Sequence, residues 1–224
     1  MGQMRTVIVE DRNITRDIMH RICAQQPGCS VVGEAADGAQ AIEVVLHLRP
    51  DLVLLGAKLP LINGFSVIET IRCAGWNPRI LLLSTDCDDY TVYRAERMQV
   101  DGFVDQRTGT LAELTKALAA VIAGRRYFSA SFLETQARRR KGQNRFEHML
   151  TEREQTVLAM IGDLHPDSEI ARRLALSPET LEKHKYNLRR KLGLGRGPEL
   201  ARYAKEHGFT EGVILPRPGF ASQS

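Results

Sequence analysis

The chain has only four cysteines in 224 residues, Cys23, Cys29, Cys73 and Cys87, and none forms a CxxC pair or accompanies a histidine cluster. Structural zinc and a disulfide framework are thereby set aside, leaving small free thiols with cysteine's usual tendency to be buried. Long apolar runs are lacking too: nothing approaches the roughly 20 residues that span a bilayer. Met1 to Arg5 shows neither the basic region nor the apolar stretch of a secretory signal, so a cytoplasmic protein without membrane association is expected. No nucleophile–base arrangement argues for catalysis, and neither cofactor nor metal is expected.

The 224 residues suit two domains of about 100 each. The net charge is a modest +4, but it is unevenly spread. Residues 1–124 carry 12 Lys and Arg against 15 Asp and Glu, a balance of −3; the rest carry 19 against 12, a balance of +7. An acidic half joined to a basic half suggests a control module joined to a module that binds a polyanion.

In the first half, short β-branched or aliphatic runs (Thr6–Val9, Ser30–Gly33, Asp51–Leu55, Ile80–Leu83, Gly102–Val104) alternate with helix-like segments at about 13–26, 38–48, 64–74, 87–98 and 110–123. Ala41, Ile42, Val45 and Leu48 show the helical spacing of a buried face. The alternation predicts a five-stranded parallel sheet covered on both sides, with functional residues at the carboxyl ends of its strands.

Those ends read Val9-Glu10-Asp11, Leu55-Gly56-Ala57-Lys58-Leu59-Pro60, Leu83-Ser84-Thr85 and Phe103-Val104-Asp105-Gln106. With Gly33-Glu34-Ala35-Ala36-Asp37-Gly38 and Asn63-Gly64, residues 4–123 closely resemble the receiver domains of bacterial two-component response regulators. The resemblance implies a CheY-like, doubly wound α/β fold. It also implies an acidic pair holding Mg²⁺ (Glu10, Asp11), a phosphoacceptor aspartate after the third strand, and switch residues matched by Ser84 and Phe103. Two positions depart from the pattern. Gly56 stands where the acceptor belongs, and Gln106 stands where a lysine is usual. An acyl phosphate needs a carboxylate nucleophile, and a lysine in that pocket is the acceptor's counter-charge, so the two losses are physically coherent. Thr85 is bulkier than the small residue usual there. Asp86, Asp88 and Asp105 are the nearby carboxylates that offer an alternative acceptor, but none follows the third strand. The expectation is therefore no phosphoacceptor.

Residues 125–147, with the cationic run Arg138-Arg139-Arg140-Lys141, read as a flexible tether. Beyond it, Thr151 and Glu154 form a capping box, with Leu150 as a staple. Val157, Leu158 and Ile161 supply an apolar stripe. A second helix is expected from Ser168 to about Leu174. A third, capped by Ser177 with Pro178 first, runs to about Leu192, and a fourth spans about Pro198–Glu206. On the third, Leu181, Leu188 and Leu192 face inward while Glu182, Lys183, Tyr186, Asn187 and Arg190 face outward.

Two short helices joined by a tight turn, the second cationic, suit a major groove. The stretches Leu150–Glu154, Glu169–Leu174, Leu176-Ser177, Thr180-Leu181, His184, Asn187–Leu194 and Glu199–Ala204 resemble the LuxR/NarL-type DNA-binding domain, so the chain as a whole looks like a NarL/FixJ-type response regulator. The resemblance implies an all-α, four-helix helix-turn-helix domain at residues 148–212, after a receiver at 1–124 and before a tail at 213–224. Its DNA-facing residues would be Thr180, Glu182, Lys183, Tyr186, Asn187, Arg189, Arg190 and Lys191. Glu182 replaces a usual lysine, and Lys185 stands where an apolar residue normally packs, so its stem is expected to snorkel past the core edge. The expected function is transcription regulation by a homodimer on double-stranded DNA without phosphorylation. Its control would come from protein abundance, a regulatory protein or a small ligand at the receiver. The alternative is a protein-interaction adaptor that no longer binds DNA strongly, for which Glu182 is the main support.

Overall fold

In the computed structural model, residues 3–140, 150–195, 198–207 and 209 are described, with side chains throughout except that of Arg140. The chain divides into two compact units, residues 1–145 and 146–224.

The first unit alternates β1 (Met4–Val9), α1 (Asn13–Gln25), β2 (Cys29–Ala35), α2 (Gly38–Leu48), β3 (Leu52–Gly56), α3 (Gly64–Cys73), β4 (Arg79–Ser84), α4 (Asp89–Arg97), β5 (Gly102–Asp105) and α5 (Leu111–Ile122). All strand pairings are parallel, in the order β2-β1-β3-β4-β5-β6. Strand periodicity sorts the central strands into two cores. Val7, Val9, Val53, Leu55, Ile80, Leu82 and Phe103 meet α2, α3 and α4 on one face. Ile8, Leu52, Leu54, Leu81, Leu83 and Val104 meet α1 and α5 on the other. Strands buried on both faces must be apolar at every position, which is why β3 reads Leu-Val-Leu-Leu without a polar break. Side chains of Asp37, Asn63, Asp88 and Thr110 cap α2 to α5, each contributing about 1 kcal/mol.

The sheet has a sixth strand and the unit a sixth helix, which corrects the tether expected at 125–147. Tyr127–Phe128 form β6 against β5, and Ala130–Arg140 form α6. Residues 141–147 of that expected tether, Lys141 included, lie outside the described ones. Phe132 of α6 is fully buried, stacked on Phe128 (4.6 Å) and tilted against Phe103 (4.9 Å). The rest of the α6 contact face is polar and paired. Thr135 Oγ1 donates to the Cys87 carbonyl (3.1 Å), Gln136 Nε2 to Glu96 (2.7 Å), Arg138 to Asp89 (2.9 Å) and Arg139 to Glu96 (2.5 Å). The arginines at 138 and 139 thus fasten α6 to α4, Arg139 buried and Arg138 still partly exposed.

The second unit consists, among the described residues, of α7 (Glu152–Gly162), α8 (Asp167–Arg173), α9 (Pro178–Leu192) and α10 (Glu199–Glu206). The capping box at Thr151 and Glu154 is present, and Ser177 caps α9 with Pro178 inside its first turn. Val157, Leu158, Ile170, Leu181, Leu188, Leu200 and Ala204 form the core. Leu192, expected in the core, is only half-buried. The expected tail at 213–224 lies outside the described residues. No helix among the described residues is long and apolar enough to cross a membrane.

Candidate functional site: an internally paired cavity and a helix-turn-helix face

The strand order reverses between β1 and β3, so the connections leaving their carboxyl ends run to opposite faces of the sheet, and a cavity of about 180 Å³ opens there. Glu10, Asp11, Arg12, Gly56, Thr85 and Gln106 are among its lining residues. Glu10 is 2% exposed, and a buried carboxylate must be paired. Arg12 Nε lies 3.0 Å from Oε1, and Gln106 Nε2 lies 3.4 Å from Oε2. Arg12 Nη2 in turn donates to Gln106 Oε1 (3.2 Å), closing a three-residue ring. Arg12 occupies the cap position of α1 without making a side-chain cap, its guanidinium being directed to Glu10 instead. The expected site residues Glu10, Asp11, Gly56 and Gln106 are therefore brought together. Arg12 is the member that the sequence reading missed. A cation two residues after an acidic pair was its only signal.

Gly56 ends β3 without any backbone need for glycine. A Cβ there would meet Leu59 Cδ2 at 3.3 Å and Glu10 Oε2 at 3.4 Å, both side-chain atoms. Gly64 is the contrast: its Cβ would fall 2.3 Å from the Gly56 carbonyl oxygen, so a close backbone approach demands glycine. A Cβ at position 56 would need Leu59 to give by a few tenths of an ångström, and it would face a carboxylate already in use.

Ser84 and Phe103 do not line the cavity. Ser84 Oγ accepts the Asp86 N–H (3.1 Å), and Phe103 is fully buried beneath Phe132. The three neighbouring carboxylates have structural partners. Asp86 pairs with Lys58 Nζ (2.5 Å), and Asp88 caps α4. Asp105 accepts from Arg107 N (2.9 Å) and Thr108 Oγ1 (3.0 Å). Burial raises the Asp88 carboxyl above its ordinary range even though the Thr91 N–H stabilises its charge.

In the second unit, α8, the turn and α9 form the helix-turn-helix. Thr180, Glu182, Lys183, Tyr186 and Arg190 are exposed on α9, with Asn187 half-buried between them. Glu182, Tyr186 and Arg190 follow one another at four-residue spacing, a single stripe along the helix. Arg189 and Lys191, expected on this face, are only half-exposed. Arg189 Nε is buried, and Lys191 Nζ lies 2.6 Å from Glu154 Oε2 of α7. Lys185 does bury its stem, with its side chain 14% exposed, but its head is held between Asp167 Oδ2 of α8 (2.7 Å) and Glu182 Oε1 (2.8 Å). Partial burial opposes that charge, yet the two carboxylates hold the ammonium above its usual pKa. Glu182 is thus paired within α9 to the same lysine whose bond to Asp167 fixes α9 on α8.

Burial opposes ionisation of Glu154 as well, but Lys191 and Thr151 outweigh it and hold the carboxyl below its usual range. A group depressed on folding stabilises above its unfolded pKa, about 4.3, and loses that contribution as pH falls through the folded value. Glu154→Gln is expected to cost about 1–2 kcal/mol at pH 7 in urea denaturation and to flatten the acid limb of C-terminal-unit stability below about pH 4. An unchanged acid limb would refute the assignment.

Comparison with known proteins supplies the family. Residues 6–119 match the response regulator receiver domain, and residues 148–204 match the bacterial regulatory proteins of the LuxR family. The chain is 31% identical over 208 residues to the Fimbriae Z protein of Salmonella typhimurium strain LT2, covering 92% of this chain and 99% of that one. It is 29% identical over 199 residues to the nitrate/nitrite response regulator NarL of Escherichia coli K12, covering 87% and 92%. The solved structure of the RcsB response regulator of Salmonella typhimurium has the same fold, with a TM-score of 0.68 at 22% identity over 96% of this chain and 100% of that one. The chain belongs to the NarL/FixJ-type response regulators, DNA-binding transcription regulators rather than enzymes, in which a receiver domain precedes a LuxR-type helix-turn-helix.

Proposed function

We propose that this regulator binds its operator without phosphorylation of its receiver, acting in the cytoplasm as a homodimer. The observation that carries the reading is the ring of Glu10, Arg12 and Gln106 beside a side-chain-less Gly56. The usual mechanism needs a carboxylate nucleophile at position 56 and a divalent cation on the acidic pair. Glycine supplies no nucleophile. The donor set does not suit Mg²⁺ either, because both Glu10 oxygens accept hydrogen bonds and one of them already has the Arg12 guanidinium beside it. Arg12 neutralises the buried carboxylate permanently, a task the metal and lysine would otherwise share. With the switch aromatic Phe103 sealed under α6, the receiver has the character of a fixed scaffold. Control then falls to protein abundance, a regulatory protein or a small ligand at the receiver.

For DNA, the reading assigns Thr180, Lys183, Tyr186, Asn187 and Arg190 to the groove face, with Glu182 placed to accept from a cytosine N4 amine while Lys185 balances its charge. Two such modules related by a two-fold axis would engage half-sites about one helical turn, ~34 Å, apart. A mobility-shift titration with Mg²⁺, with and without acetyl phosphate, tests the proposal. The expected dissociation constants agree within about twofold; a tenfold tightening by the phosphodonor would overturn it.

A further inference from the structure

The amino-terminal ends of the strands, opposite the cavity, gather arginines. Arg5 lies at the start of β1, Arg49 just before β3, Arg72 in the last turn of α3, Arg79 at the start of β4, and Arg125 and Arg126 just before β6. A chain of contacts makes them one surface. Arg5 Nη1 donates to the Arg49 carbonyl (3.2 Å), and the Arg49 guanidinium lies over the Trp76 ring, 5.5 Å from its centre. Trp76 Nε1 donates to the Pro50 carbonyl (3.1 Å), and Trp76 N–H to the carbonyl of Ile71, next to Arg72 (3.1 Å). Asp51 N–H donates to the Arg5 carbonyl (2.8 Å) and Arg79 N–H to the Asp51 carbonyl (2.9 Å). Arg79 Nη1 reaches the Val121 carbonyl (2.5 Å), with its guanidinium beside Gly124, which leads directly into Arg125 and Arg126.

The partners of these arginines hold them in place without cancelling their charge. Arg5, Arg72 and Arg79 donate to the backbone carbonyls of Arg49, Met98 and Val121, and Arg49 rests on an aromatic ring. Among the described residues, none of the six is ion-paired to a carboxylate. The two acids within the same set of contacts serve strand-start amides instead. Asp51 Oδ2 accepts from Arg5 N–H (2.8 Å), and Asp101 Oδ2 accepts from Ile80 N–H (2.9 Å). Six positive charges therefore face two negative ones, and Arg5, Arg49, Arg125 and Arg126 are exposed. We propose that this arginine-lined end of the receiver binds the phosphate backbone of duplex DNA, a sequence-independent contact separate from α9. The planar guanidinium fork matches phosphate oxygens, and the surface carries no lysine point charge. From β1 to β6 the sheet takes four strand-to-strand steps, about 19 Å at the usual spacing. A duplex displays on the order of ten phosphates over that length. Duplex DNA is also the polyanion that a chain with a LuxR-type unit meets.

The test titrates the full-length protein against a fluorescent random-sequence duplex of about 30 base pairs, between about 50 and 200 mM salt. Arg125→Ala with Arg126→Ala should lower the log–log salt slope by about two units. Arg107→Ala with Lys116→Ala removes the same charge from exposed positions off this surface and should leave the slope unchanged. Trp76, the only tryptophan, supplies a local readout. Its emission should change as duplex is added, and it should become less accessible to acrylamide. The proposal is overturned if the Arg125/Arg126 variant keeps the parent slope, or if Trp76 is unaltered at saturating duplex. It is overturned equally if polyglutamate protects Trp76 as well as duplex does, which would make the partner an acidic protein. Lys183→Ala with Arg190→Ala separates this contact from the α9 reading. A slope that falls only in that variant sinks the receiver contact and keeps α9; a fall only in Arg125/Arg126 does the reverse. Absence of any duplex binding at about 50 mM salt sinks both.

Discussion

Replacing Phe132 with alanine is expected to destabilise the N-terminal unit by about 3–5 kcal/mol, a large part of the 5–15 kcal/mol that holds a typical domain folded. The reason is position. Phe132 is fully buried, with the Phe103 and Phe128 rings packed against it, so truncation leaves a cavity inside the core. Were 125–140 a tether, the same change would cost almost nothing. Urea denaturation of the full chain decides between these, because the two units can unfold in separate transitions. Only the first unit's transition should move, and Leu133→Ala, on the exposed side of the same helix, should stay within about 0.5 kcal/mol. A loss below about 1 kcal/mol for Phe132→Ala would mean that α6 is not part of the domain.

That contrast also shows what the sequence could disclose. The first five strands and their helices were legible to within a residue or two at most ends because strands buried on both faces must be apolar throughout, and α2 to α5 carry Asp, Asn or Thr at the cap. Helix α6 was not legible because its contact face has one large apolar side chain, Phe132. The remaining contacts come from Thr135, Gln136, Arg138 and Arg139, whose partners lie about 40 to 49 residues away in sequence. Hydrophobic periodicity cannot register a face that binds through ion pairs. The cavity shows the same division. The identities at positions 10, 11, 56 and 106 were on the page from the start. The role of Arg12 depended on a contact with Gln106 across 94 residues of chain. On α9, angular projection separated the inner from the outer face, but it could not show that Glu154 and Asp167, on other helices, would draw in Lys191 and Lys185.

Replacing Lys183 and Arg190 together with alanine is expected to weaken operator binding about 100-fold, roughly tenfold for each lost charged contact. The log–log dependence of affinity on salt should flatten by about two units. These are the exposed cations of α9; the other basic side chains near its outer face are paired or half-buried. The selectivity of the effect is the stronger test. Lys191→Ala removes the same formal charge but breaks the link to Glu154, so it should lower the stability of the second unit while leaving the salt slope nearly unchanged. Glu182→Ala removes a negative charge that Lys185 already offsets, and Lys185 keeps Asp167 as its partner. Nonspecific affinity should therefore change little, and any loss should appear as relaxed base preference at one operator position. An adaptor whose helix-turn-helix had drifted away from DNA would show none of this pattern. The double substitution would leave its activity in cells intact, and Lys183, Arg190 and Lys191 would be interchangeable surface charges.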